Sequence, residues 1–157
     1  MSTLAIIPVV AGLLTVCGNR PGLGAITALA ITALVAMAVA ELAYVLGMVP
    51  FAAEVDGTFA GLIVVFGWLF AASRAGRTSG RLPRQVASCG IALGAAGLAG
   101  AVLLAASVPT PAHSLAHAIT FGAGALISGP VYAVFPIWLI VLSYRLPGRA
   151  GSAGQPV

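Results

Sequence analysis

The chain has 157 residues, 61% of them hydrophobic and 6% charged, and a formal net charge of +4 from seven arginines against Glu41, Glu54 and Asp56. A soluble domain carries about 25% charged residues, so a surface facing mostly water is excluded, and so is a second, soluble domain. Nucleic-acid binding is excluded as well: the arginines stand at the ends of apolar segments, where they read as topology signals.

The apolar segments give an all-α, polytopic transmembrane helical bundle of residues 1–145 with five expected spans, at about 3–18, 22–48, 58–73, 86–108 and 118–144. The first, LAIIPVVAGLLTVC, is short: Leu4–Cys17 covers about 21 Å at 1.5 Å per residue against a hydrocarbon core of about 30 Å. The alternative is therefore four spans plus an interfacial or half-spanning N-terminal segment. The opening MSTLAIIPVV lacks the basic n-region of a signal peptide, and no lipidation motif accompanies it, so insertion is expected from the helices themselves.

Gly18-Asn19-Arg20-Pro21-Gly22 forms a tight link, with Gly closing one helix and Pro opening the next. The second segment, Gly22–Met48, carries the ionisable Glu41. An acidic link at 50–58 follows, then an aromatic third segment and the run RAGRTSGRLPR, with Arg74, Arg77, Arg81 and Arg84. The fourth segment is rich in Gly and Ala and is broken by Pro109 and Pro111. The fifth contains Gly129-Pro130 and Pro136 and is too long for one perpendicular crossing. It is expected to be an interfacial lead-in carrying His113 and His117, followed by one kinked helix. Residues 146–157 read as a disordered cytoplasmic tail.

Short cytoplasmic loops accumulate arginine. The four-arginine run, Arg74, Arg77, Arg81 and Arg84, is the topogenic marker, and with five spans Arg20, Arg145 and Arg149 fall on the same side. The expected orientation has the N-terminus outside and the C-terminus in the cytoplasm. Arginine without lysine, in an Ala-, Gly- and Val-rich chain, suggests a high-GC bacterium and hence its inner (plasma) membrane.

No P-loop, nucleophile elbow, CxxC, HExxH or dinucleotide fingerprint is present. Glu41 is the sharpest chemical feature, because a carboxylate near the bilayer centre costs about 2.5–3.5 kcal/mol and usually faces a partner or a wet cavity. It is also explained by a position close to the headgroups. His113 and His117, at i and i+4 in HSLAH, would share a helix face. With Glu41 they form a candidate proton or cation site, set against a plain helix-start role. Two histidines alone do not make a metal site, and no metal or cofactor is expected.

Gly90, Gly94, Gly97 and Ala101 place a smooth helix-packing stripe on the fourth segment. It would serve packing within the chain, a homo-oligomer or a larger membrane-protein partner, with the lipid bilayer as general partner. Trp68, Trp138 and Tyr144 read as part of an interfacial aromatic belt, and Cys17 and Cys89 as buried small hydrophobes.

The expected function is a non-catalytic subunit or scaffold of a membrane assembly. The alternative is a small proton- or cation-linked transporter or permease component using Glu41 with His113 and His117. A membrane-embedded enzyme ranks last, since too few polar groups remain to orient a substrate.

Overall fold

Proline and glycine set the helix limits. The computed structural model describes Ile7, Val10 and residues 21–145, and among these all regular structure is helical. The four main helices are α1 (Pro21–Val45), α2 (Phe51–Thr78), α3 (Arg84–Ser107) and α4 (Leu115–Arg145). All four are long and apolar enough to cross a membrane. Their 24 to 31 residues give about 36–46 Å each. The expected first span, 3–18, and the expected tail, 146–157, lie outside the described residues, except that Ile7 and Val10 are helical. Val10 is fully buried in the core and Ile7 packs against it.

Helix α1 opens at Pro21, where a missing N–H costs nothing. It stops three residues short of the expected Met48 because Gly47 turns left-handed, at φ 71°. The Met48 N–H then donates to Ala43 O at 2.8 Å and the Gly47 N–H to Tyr44 O at 2.9 Å. This is a Schellman cap, which satisfies carbonyls that a helix end leaves unpaired.

The expected third span began at residue 58, but α2 begins at Phe51 and takes in the acidic link. Pro50 sets the start with an extended backbone, and its carbonyl accepts from the Ala53 and Glu54 N–H groups at 3.0 and 3.3 Å. An acidic residue in the first turn also complements the helix dipole, so Glu54 supports helix there rather than loop. Gly80, at φ 67°, ends α2 with the same Schellman pattern, and Pro83 precedes α3.

Helix α4 runs as one element through Pro130 and Pro136 and takes in His117, so the stretch expected to lead into it is already helix from Leu115 on. Ser114 is the reason. Its Oγ accepts from the His117 N–H at 3.1 Å, an N-cap bond that fixes the helix start at Leu115.

The helices pack in sequence order, α1 on α2, α2 on α3 and α3 on α4, each pair antiparallel. Thr27 meets Trp68 and Met37 meets Gly61 between α1 and α2. Ser73, Phe70 and Phe66 of α2 meet Gly90, Gly94 and Gly97 of α3. Leu104 and Val86 of α3 meet Gly124 and Trp138 of α4. Phe66, at 2% exposure, reaches across to α4, with ring centroids 6.1 Å from Tyr132 and 6.0 Å from Phe135.

The indoles are core residues and not the belt expected of them. Each has an acceptor inside the bundle, which removes the cost of burying its N–H. Trp68 Nε1 donates to Thr27 Oγ1 at 3.0 Å, and Trp138 Nε1 to Val86 O at 3.1 Å. The Tyr144 side chain and Cys17 lie outside what is described. Cys89 is exposed, contrary to its expected burial.

Candidate functional site

Antiparallel order puts the α1–α2 turn and the α3–α4 turn at one end of the bundle and the α2–α3 turn at the other. Glu41, Glu54, Asp56, His113 and His117 therefore share an end, and Arg74, Arg77, Arg81 and Arg84 occupy the opposite one. The acidic and imidazole end is the candidate site.

Two contacts bracket Glu41. On one side a Cβ built on Gly61 would lie 2.5 Å from Met37 Cγ, so α1 and α2 are tightly apposed there. On the other, the Tyr44 and Phe51 rings lie 5.6 Å apart. Residues 37, 41 and 44 of α1 and 51, 54, 58 and 61 of α2 recur every three or four positions, so each set marks one helix face. Glu41 and Glu54 thus stand at about the same level of two adjacent helices.

Glu54 is half-buried, and the Thr58 hydroxyl donates to its Oε1 at 2.9 Å. Glu41 is exposed. Of the carboxylates, the sequence singled out Glu41 alone. Glu54 was hidden in what read as a loop, although its spacing from Thr58 and Gly61 was the available signal.

The two histidines do not share a helix face. His113 precedes the Ser114 cap and is exposed, while His117 sits inside the first turn of α4. Their i, i+4 spacing carries no geometric meaning once the cap falls between them. His117 Nδ1 lies 3.1 Å from both Ser107 O and Thr110 Oγ1. A carbonyl only accepts, so in the contact with Ser107 O it is Nδ1–H that donates. Thr110 Oγ1 donates to the same carbonyl at 2.6 Å. The imidazole also stacks on Phe121, with centroids 5.7 Å apart and planes 6° from parallel. His117 therefore ties the end of α3 to the start of α4.

Glu41 has no hydrogen bond to either imidazole, and α1 packs on α2 while His113 lies in the α3–α4 turn and His117 in the first turn of α4. Among the described residues no group of three or more His, Cys, Asp or Glu is placed to hold a metal ion.

The glycine stripe is occupied within the chain. Gly90, Gly94 and Gly97 face Ser73, Phe70 and Phe66 of α2, and Ala101 is buried. Gly100 faces Ser128 of α4. Ser73 Oγ and Ser128 Oγ are buried without a hydrogen-bond partner, each against a glycine of α3. The arginines Arg74, Arg77, Arg81 and Arg84 are all exposed.

Comparison with protein-family models, with curated proteins and with solved structures finds no match to this chain.

Proposed function

We propose that this chain is a small integral membrane protein serving as a non-catalytic subunit or scaffold of a membrane assembly. The observation that carries this is where the buried and part-buried polar bonds go. Thr27 with Trp68, Trp138 with Val86, and His117 with Ser107 and Thr110 all tie one helix to the next. A bundle held this way presents a firm apolar exterior. Leu29, Val39 and Leu42 of α1 and Ile119, Leu126 and Ile137 of α4 are exposed to lipid or to a larger membrane-protein partner. By the arginine rule, the α2–α3 turn faces the cytoplasm of a bacterial cell, with the C-terminus inside and the N-terminus outside.

A second reading is a proton- or cation-linked transporter or permease component. It is favoured by Glu41 and Glu54 lying at about the same level of the adjacent α1 and α2, with His113 and His117 at the same end of the bundle. Glu41→Gln separates the two readings. The scaffold reading expects the full chain, extracted in mild detergent, to co-purify a membrane partner in fixed ratio, and expects E41Q to retain it. A pH-gradient-driven flux through the chain alone in proteoliposomes, abolished in a folded E41Q protein, would replace the scaffold with the transporter.

A further inference from the structure

The α2–α3 turn is short and pinned. The Arg81 and Leu82 N–H groups both donate to Gly76 O, at 3.1 and 3.2 Å, and the Gly80 N–H donates to Arg77 O at 3.2 Å. Leu82 is 4% exposed and anchors the turn in the core. Arg74 and Arg77 lie in the last turns of α2, and Arg84 opens α3. Sequence alone placed these residues in a loop between two spans. The fold instead mounts all three exposed guanidiniums on helix ends held at a fixed spacing.

No carboxylate among the described residues is at hand to neutralise them. Asp56, the nearest along α2, lies 18 residues or about 27 Å of helix before Arg74, well beyond a Debye length of about 8–10 Å. Arginine presents a planar fork that binds phosphate oxygens in pairs. At the edge of a hydrocarbon layer, the anions this fork meets are headgroup phosphates.

We propose that Arg74, Arg77 and Arg84 form a binding surface for anionic phospholipid headgroups. The proposal is independent of the scaffold reading. It also goes beyond topogenesis, because a purely topogenic charge pattern needs no preference among lipids once the protein has been inserted.

The test is native mass spectrometry of the full chain in nonionic detergent with equimolar phosphatidylglycerol and phosphatidylcholine of matched acyl chains. One arginine near an anionic surface contributes about fivefold, or about 1 kcal/mol. Wild-type protein should therefore retain phosphatidylglycerol over phosphatidylcholine by at least about fivefold. R74Q/R77Q/R84Q should bring the ratio to parity, and R74K/R77K/R84K should keep most of the preference. Inorganic phosphate should displace no more lipid than chloride at matched ionic strength; greater displacement by phosphate would overturn the lipid assignment in favour of a free-anion site. Parity in wild type, or an undiminished preference in the glutamine variant, would overturn the proposal. Should the glutamine variant not fold, the wild-type preference is measured against ionic strength. Its collapse with salt supports the surface, and salt-insensitive retention refutes it.

Discussion

Gly94→Ala should open the seam between α2 and α3. A Cβ at Gly94 would lie 2.6 Å from Phe70 N, 2.8 Å from Phe70 Cα and 2.9 Å from Phe70 Cβ. Ordinary contact is about 3.5–4.0 Å, so the helices must separate by about 1 Å. The obstructing atoms are mostly backbone and cannot rotate away. Overpacking costs about 1–3 kcal/mol, and a rigid obstacle argues for the upper part of that range. Replacing a mid-helix glycine by alanine returns about 0.5–1 kcal/mol of helix propensity. The net expectation is a loss of about 1–2 kcal/mol. Gly122→Ala on α4 is the matched control, because a Cβ there meets nothing within 4 Å and only the propensity gain remains. Reversible unfolding in mixed detergent and SDS micelles, followed by far-UV circular dichroism, should separate the two variants by about 2–3 kcal/mol. Equal stability of G94A and G122A would refute the claim that this seam depends on backbone contact.

Thr27→Val keeps the shape of a residue 2% exposed but removes the acceptor for Trp68 Nε1. Side-chain bonds in membranes average about 0.6 and reach about 1.7 kcal/mol, and an orphaned indole in an apolar core belongs at the upper end. The same SDS titration should show a loss of about 1–2 kcal/mol, and wild-type stability would mean that the bond contributes nothing. Ser114→Ala removes the cap on α4 and should cost about 1 kcal/mol locally. Hydrogen–deuterium exchange should then speed up at the His117 amide by about fivefold; unchanged exchange there would refute the cap.

The helices themselves were legible because the apolar runs exceed any soluble alternative, and because Pro21, Pro50 and Pro83 mark their starts in the chain. What misled was polarity. Glu54 and Asp56 read as loop residues, yet the first turns of a helix favour acids, and Pro50 rather than charge decides where α2 begins. Ser114 had a similar effect, since HSLAH looks like one helical face until the serine is recognised as a cap. The glycine stripe was visible in sequence, but its partner was not, because spacing does not distinguish another helix of the same chain from a second copy. That Glu41 and Glu54 stand at about the same level was out of reach, since it depends on the register between α1 and α2.

The order of packing bears on how such a chain is made. Each helix finds its main neighbour in the one just before it, across turns of only five to seven residues at 46–50, 79–83 and 108–114. Most loop closures are therefore short, which keeps contact order low. A ribosome that has extruded no further than Thr78 has already released both partners of the Thr27–Trp68 bond and of the Met37–Gly61 contact. The bundle can then grow by zipping each emerging helix onto a finished edge, from N-terminus to C-terminus. Phe66 is left to be covered last, when Tyr132 and Phe135 arrive on α4.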